Sequence, residues 1–393
     1  MGIQESAGAA PIWFWQTIVS PHMAGLAAAL AARGEAVTYV ASQPMTGDRA
    51  ALGWVVPDLG VAQLRLAPDC ATVEALVAGA PADSLHICQG LRGNGLVGVA
   101  QRALARRGLR QWAVMETVEE KGRVSTWVKR REYERLVRYW RDRLGGVLAT
   151  GHRTPDWLAA RGMPRERIFP FAYFLPDVPI PSFYTQSPQK ERFRVLFVGR
   201  FDENKRIRQL IEALFVIGDA ADFELHVAGA GPLESELHAL ARTHLPGRFE
   251  YLGRLRQDEV GAVMAAADCL VLPSRHDGWG AVISEALMVG TPVICSDGCG
   301  AAGVVKLSGC GGVFRAGDDA DLERRLRSQI AAGRVTQSQR AALVDWARCL
   351  GARDGADYLM EVLDCQPGGD RPLPPWQPPR ERPVSTRSAV LVG

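Results

Sequence analysis

A chain of 393 residues, 47% hydrophobic and 23% charged, is long enough for two domains with separate cores and ordinary enough in composition to be globular. Its formal net charge of +3 is too small to imply a nucleic-acid partner. The eight cysteines stand singly without CxxC pairs, the amino terminus has no basic signal-like region, and no apolar run approaches the ~20 residues of a membrane span, so a reduced, cytoplasmic protein is expected.

Residues 11–18 (PIWFWQTI) predict a first strand, followed by Ser20-Pro21-His22 and a helix of small residues over 23–33. Ser20 suits the N-cap and Pro21 the first helical position. Gly34 ends that helix and 36–41 (AVTYVA) form the second strand, the opening of a doubly wound sheet. Strands follow at 84–88, 111–115 and 146–150. Their junctions at Gln89 and Glu116 are predicted to point into the same cleft as His22, because ligands bind at the carboxyl ends of parallel strands.

Residues 121–143 hold nine Lys or Arg against three acids, interleaved with Trp127, Tyr133, Tyr139 and Trp140. A solvated helix with its aromatics turned inward fits this pattern. So does a segment lying on anionic lipid, its rings at the interface; RNA binding is the weakest option, since no RNA-binding motif accompanies the charge.

Prolines at 164, 170, 176, 179 and 181 mark 162–182 as the crossing between domains. The boundaries predicted are 1–180, 181–345, terminal helices over 346–366 that pack back toward the first domain, and a disordered Pro-rich tail over 367–393. In the second domain, strands at 194–198, 224–227 and 249–252 alternate with helices at 207–217, 233–243 and 258–266, as in a parallel sheet. Helices at 319–332, 337–349 and 357–363 complete it. The GAG at 229–231 is a weak dinucleotide signal, and no GxGxxG follows a first strand in either half, which argues against a nicotinamide enzyme.

The densest chemistry lies in 274–291, SRHDGWGAVISEALMVGT, between the apolar strand 269–272 and the short apolar run 293–295. It reads as strand, tight loop, helix. Gly278 and Gly280 let the backbone approach a ligand, and a helix starting near Trp279 offers unpaired N–H groups with partial positive charge, a natural phosphate site. Asp277 stands in the loop and Glu285 about two turns along the helix. Carboxylates at both ends with a phosphate site between them suit a nucleotide sugar.

These residues resemble the acid-x7-acid signature of retaining glycosyltransferase family 4, which has the two-domain GT-B fold; the first acid of the family, commonly Glu, is Asp277 here. VLFVGRFDENKRIRQLIEAL over 195–214, HVAGAGPL over 226–233, FEYLGRL over 249–255 and ADCLVLPSRHDG over 267–278 are similar to further family segments. The resemblance implies two facing Rossmann-like parallel sheets with a nucleoside-diphosphate sugar between them. It implies Arg200 and Lys205 on the diphosphate, Glu285 toward the ribose, Asp277 with Gly280 on the sugar, and donor contacts at Gly199, Leu255, Ser274, Gly278, Ala281, Val282 and Ile283. Two cationic side chains can stabilise the departing diphosphate, so neither metal nor cofactor is expected.

On the acceptor side the family commonly has a glycine-rich first loop where this chain has SPH, so His22 is the candidate donor there, and many members have histidine where Glu116 falls. A glycan or lipid-linked acceptor is implied. The rival readings are a nucleotide-sugar epimerase, a phosphorylase, which would need a lysine-bound pyridoxal cofactor, and a catalytically inactive binding protein.

Overall fold

The structure is a computed structural model, and it describes residues 10–47, 55–176, 192–366 and 369–377. In the first domain, β1 (Ile12–Ile18) leads into α1 (Pro21–Ala32), β2 (Val37–Gln43), β3 (Gln63–Leu66), α2 (Cys70–Gly79), β4 (Leu85–Gln89), α3 (Leu96–Arg107) and β5 (Arg110–Glu116). Then come α4 (Arg123–Trp140), β6 (Gly146–Thr150), α5 (Thr154–Ala159) and β7 (Ile168–Phe171). Ser20 caps α1 as expected, its hydroxyl accepting from the His22 N–H at 3.3 Å with Pro21 in the first turn.

The second domain runs β8 (Phe193–Val198), α6 (Ile207–Ile217), β9 (Phe223–Ala228), α7 (Glu234–His244), β10 (Phe249–Gly253), α8 (Gln257–Ala266), β11 (Cys269–Leu272), α9 (Ala281–Met288) and β12 (Val293–Ser296). It closes with α10 (Ala302–Ser308), β13 (Gly311–Phe314), α11 (Asp319–Ala332) and α12 (Gln337–Ala347), and α13 (Ala352–Asp364) follows.

Both sheets are wholly parallel, ordered β3-β2-β1-β4-β5-β6-β7 and β10-β9-β8-β11-β12-β13. Each reverses direction beside its first strand, at β1/β4 and at β8/β11. Such a reversal splays the two flanking loops and opens a crevice at the carboxyl ends of the strands. The central strands are apolar on both faces because helices cover both sides.

Three expectations need correction. The proline-marked stretch 162–182 is not only a crossing, since Ile168–Phe171 is the seventh strand; Pro170 is tolerated because β7 is an edge strand, where a missing N–H costs no ladder bond. The boundary near 180 itself lies outside the described residues. Residues 369–377, expected to be disordered, are packed, with Pro374 buried and Trp376 against Phe174 and Trp279; the rest of the tail, 367–368 and 378–393, lies outside the described residues. Helix α9 starts at Ala281, two residues later than the loop suggested, because Gly280 caps it in the left-handed region at φ 90°.

The final helix contacts the first domain. Asp357 of α13 pairs with Arg33 beyond the end of α1, and the Tyr358 hydroxyl donates to the Pro170 carbonyl at 2.9 Å.

Candidate active site

The second-domain half of the site grows from the reversal between β8 and β11. After β8 the chain passes Gly199 and Arg200 into a turn that Asp202 holds, its carboxylate accepting the N–H groups of Asn204 and Lys205 at 3.0 Å each. Asn204 then ties this turn to the loop after β11. Its amide donates to the His276 carbonyl at 2.7 Å, its side-chain oxygen accepts the His276 N–H at 3.2 Å, and its carbonyl accepts the Arg275 N–H at 2.7 Å. The turn delivers the Lys205 ammonium to the Asp277 carboxylate as a part-buried ion pair. Arg206 beyond it is the one non-glycine among the described residues with positive φ, 55°, a strained conformation fixed by an ion pair of 2.7 Å to Asp319.

Arg200 stays largely exposed, its nearest acid being Asp202 at 3.5 Å. Ala281 and Val282 carry N–H groups left open, among the described residues, at the α9 N-terminus, whereas the Ile283 N–H donates to the Gly280 carbonyl at 2.9 Å and the Ile283 side chain is buried. Ser274 is wholly buried and presents no surface to a ligand, so neither Ile283 nor Ser274 is placed for the direct contact expected of it. Leu255 lies half-buried just past edge strand β10. Glu285, half-buried on α9, has no hydrogen-bond or ionic partner for its carboxylate among the described residues, and burial pushes its pKa up to about 7.

The first-domain half supplies His22, Tyr173 and Glu116. His22, in the first turn of α1, stacks on Tyr173 with ring centroids 4.5 Å apart. The Tyr173 hydroxyl donates to Glu116 at the end of β5. Burial raises the Glu116 pKa and the nearby Asp277 charge adds to this, while the Tyr173 bond and Lys205 oppose it. Across the boundary Glu116 meets Gly278, where any Cβ would lie 1.7 Å from Glu116 Oε2. His22, Glu116, Gly278, Asp277 and Lys205 therefore belong to one constellation. Tyr173, Asp202 and Asn204 were not singled out from sequence; of these only the Asp-x-Asn-Lys run, whose short side chains favour turns, carried a local signal.

Beside Asp277 opens a cleft of about 740 Å³ between the domains. Its first-domain wall is the loop 117–121, with Arg130 and Glu134 of α4 and Trp157 and Arg161 around α5; its second-domain wall is 275–277 and 298–300. The two walls are joined at one edge by the His152 N–H donating to the Gly300 carbonyl at 2.9 Å and by an Arg153–Asp297 ion pair of 2.6 Å. The lining carries charges of both signs, with Glu120 holding both Arg130 and Arg161.

Helix α4 divides its aromatics. Tyr133 and Trp140 are buried, while Trp127 (61% exposed), Val124, Val128 and Tyr139 face outward among arginines, with Arg131 5.8 Å from the Trp127 ring centre. Among the described residues no helix is long and apolar enough to cross a membrane.

Two facing doubly wound domains with a ligand crevice between them define the GT-B class of glycosyltransferase. Residues 183–343, which include the second domain's strands and helices, match the family described as glycosyl transferases group 1. Over 166 residues the chain is 33% identical to 2-deoxystreptamine glucosyltransferase of Streptomyces kanamyceticus, covering 38% of this chain and 42% of that protein. Over 174 residues it is 32% identical to glycogen synthase of Mycobacterium tuberculosis, covering 42% of each. The chain thus spans less than half the length of these curated relatives. Among solved structures, Anabaena Alr3699/HepE in complex with UDP aligns with a TM-score of 0.69 at 17% identity, over 90% of this chain and 99% of that one. The lipopolysaccharide outer core galactosyltransferase WaaB aligns with a TM-score of 0.65 at 15% identity, over 90% and 99%. These two likenesses concern the fold.

Proposed function

We propose that this chain is a retaining glycosyltransferase of family 4. It moves a hexose-type sugar from a nucleoside-diphosphate sugar to a glycan or lipid-linked acceptor in bacterial-type cell-surface or exopolysaccharide assembly, without metal or cofactor. The observation that carries this reading is the Lys205–Asp277 ion pair, set where the β8 and β11 loops meet and faced by Glu116 from the other domain. A cation and two carboxylates converging at the crevice match a donor with an anionic diphosphate and a hydroxylated sugar.

In this reading the diphosphate takes Lys205 and Arg200, with the open N–H groups of Ala281 and Val282 assisting. Glu285 accepts from the ribose, and Asp277 and Glu116 contact the sugar. Glu116, its pKa raised, can hold a proton and so donate to a sugar or acceptor oxygen. The acceptor occupies the cleft beside Asp277. The outward face of α4, apolar at Trp127, Val124 and Val128 and basic around them, holds the enzyme on the inner, anionic face of a membrane near a lipid-linked acceptor. The relative named a glucosyltransferase and HepE, crystallised with UDP-glucose, support a hexose donor.

The test is a thermal-shift screen of nucleotide sugars, followed by assay of nucleoside-diphosphate release with candidate acceptors. A stabilising nucleotide sugar whose diphosphate is released only when an acceptor is present fits the proposal. Binding with no turnover across the acceptor panel would leave a binding protein.

A further inference from the structure

Beyond α13, residues 369–377 turn back across the domain boundary. Arg371 lies over the Phe169 ring at 5.1 Å, Pro374 is buried, and the Gln377 N–H closes a turn on the Pro374 carbonyl at 2.9 Å. This sets the Trp376 ring 6.0 Å from Phe174 on one side and 6.4 Å from Trp279 on the other, both within the range of direct aromatic contact. Phe174 is in turn immobilised: it packs edge-on to Phe171 at 5.1 Å, and Gly355 of α13 leaves it so little room that a Cβ there would lie 2.2 Å from its ring.

Trp279 is the residue between Gly278, which touches Glu116, and Gly280, which caps α9. It is 2% exposed, its indole N–H donates to the Ser284 hydroxyl at 2.9 Å, and its carbonyl accepts the Ala301 N–H at 2.9 Å. The flanking glycines give this turn no side-chain anchor of their own; backbone bonds to 298–301 hold one side of it, and the indole is its side-chain anchor on the other.

We propose that Trp376 is a positioning residue of the donor site: through the ladder Phe174–Trp376–Trp279 it holds the 278–280 turn, and with it Asp277 and the open N–H groups of Ala281 and Val282, against the first domain. The role rests on the reading of that turn as the diphosphate and sugar site. It explains why a segment rich in proline is ordered here, since proline lowers the entropy lost on docking an extended strap.

The test uses the full chain with Trp376→Ala and Trp376→Phe. Calorimetry with UDP, GDP and ADP identifies the diphosphate that wild type prefers, and hydrogen exchange is followed over 276–284 in the empty protein. Trp376→Ala is expected to weaken that diphosphate about three- to tenfold and to speed exchange in 276–284 selectively, while Trp376→Phe restores both. Unchanged affinity and exchange in Trp376→Ala overturn the proposal. So does faster exchange spread evenly over both domains, which marks ordinary packing. A wild type that binds none of the three diphosphates overturns the donor-site reading and this role with it, and it is recognised because the failure appears before any substitution is made.

Discussion

The carboxylate of Glu116 and the backbone of Gly278 meet across the domain boundary so closely that only a glycine fits: a Cβ at 278 would lie 1.7 Å from Oε2 and 2.1 Å from Cδ. Glu116 can make room only by giving up its bond from Tyr173, whose ring His22 backs. The domains are therefore set against each other at the residues that also flank Asp277.

Gly278→Ala is expected to force Glu116 off Tyr173 and destabilise the protein by about 1 kcal/mol, the usual net worth of one hydrogen bond. In a Glu116→Gly background the same substitution should cost much less. A double-mutant cycle by chemical denaturation checks the coupling; equal costs in both backgrounds would mean the two residues do not meet.

Lys205→Ala removes the cation beside Asp277. Charge-assisted bonds of this kind contribute roughly 1.5–3 kcal/mol, so turnover should fall about tenfold to a hundredfold, with the fold intact by circular dichroism. A chelator should leave the wild-type rate unchanged. A rate that depends on added magnesium or manganese would show that the cations are misassigned.

Asn204→Ala should separate the β8 and β11 loops while leaving both ionic partners, Lys205 and Asp277, in the chain. Three hydrogen bonds join Asn204 to the β11 loop, two of them through its side chain. The expected outcome is a donor KM raised more than tenfold with little change in melting temperature, measured by steady-state kinetics beside calorimetry. A variant with wild-type KM would show that the loops hold each other without it.

Glu285 gives a pH signature. Its pKa is raised from 4.5 to about 7 by burial, so between those values the unfolded chain has lost a proton that the folded one keeps. Stability from this group is full below about pH 4.5 and declines as pH rises to 7. Glu285→Gln should match wild type near pH 4.5 and be more stable by about 1–3 kcal/mol at pH 8, read from urea midpoints. It should also bind free nucleoside diphosphate more weakly above pH 7, where wild type offers a carboxylate to the ribose; Asp277→Asn should spare that binding.

For α4, wild type should sediment with anionic vesicles at low salt and be released at high salt, at about 1 kcal/mol per well-placed cation. Changing Trp127, Arg131 and Arg135 to Ser should abolish this without affecting turnover of a soluble acceptor. Indifference of wild type to anionic vesicles would leave α4 a solvated wall of the cleft.

The sequence by itself determined the alternation of strands and helices, the Ser20 cap, the acids at 277 and 285 and the lysine at 205, because periodicity, capping and motif spacing are properties of neighbouring residues. It missed β3, an exposed edge strand with no apolar alternation to mark it, β7, whose proline disguised it, and β13, which opens on two glycines. Only the tertiary structure decided that Asn204 joins two loops, that Glu116 needs a glycine at 278, that the Ser274 side chain is sealed in, and that Trp376 reaches Trp279. Each of these depends on residues far apart in the chain, brought together by the reversal of strand order in two parallel sheets and by the return of the last helix to the first domain. No local pattern encodes such a distance.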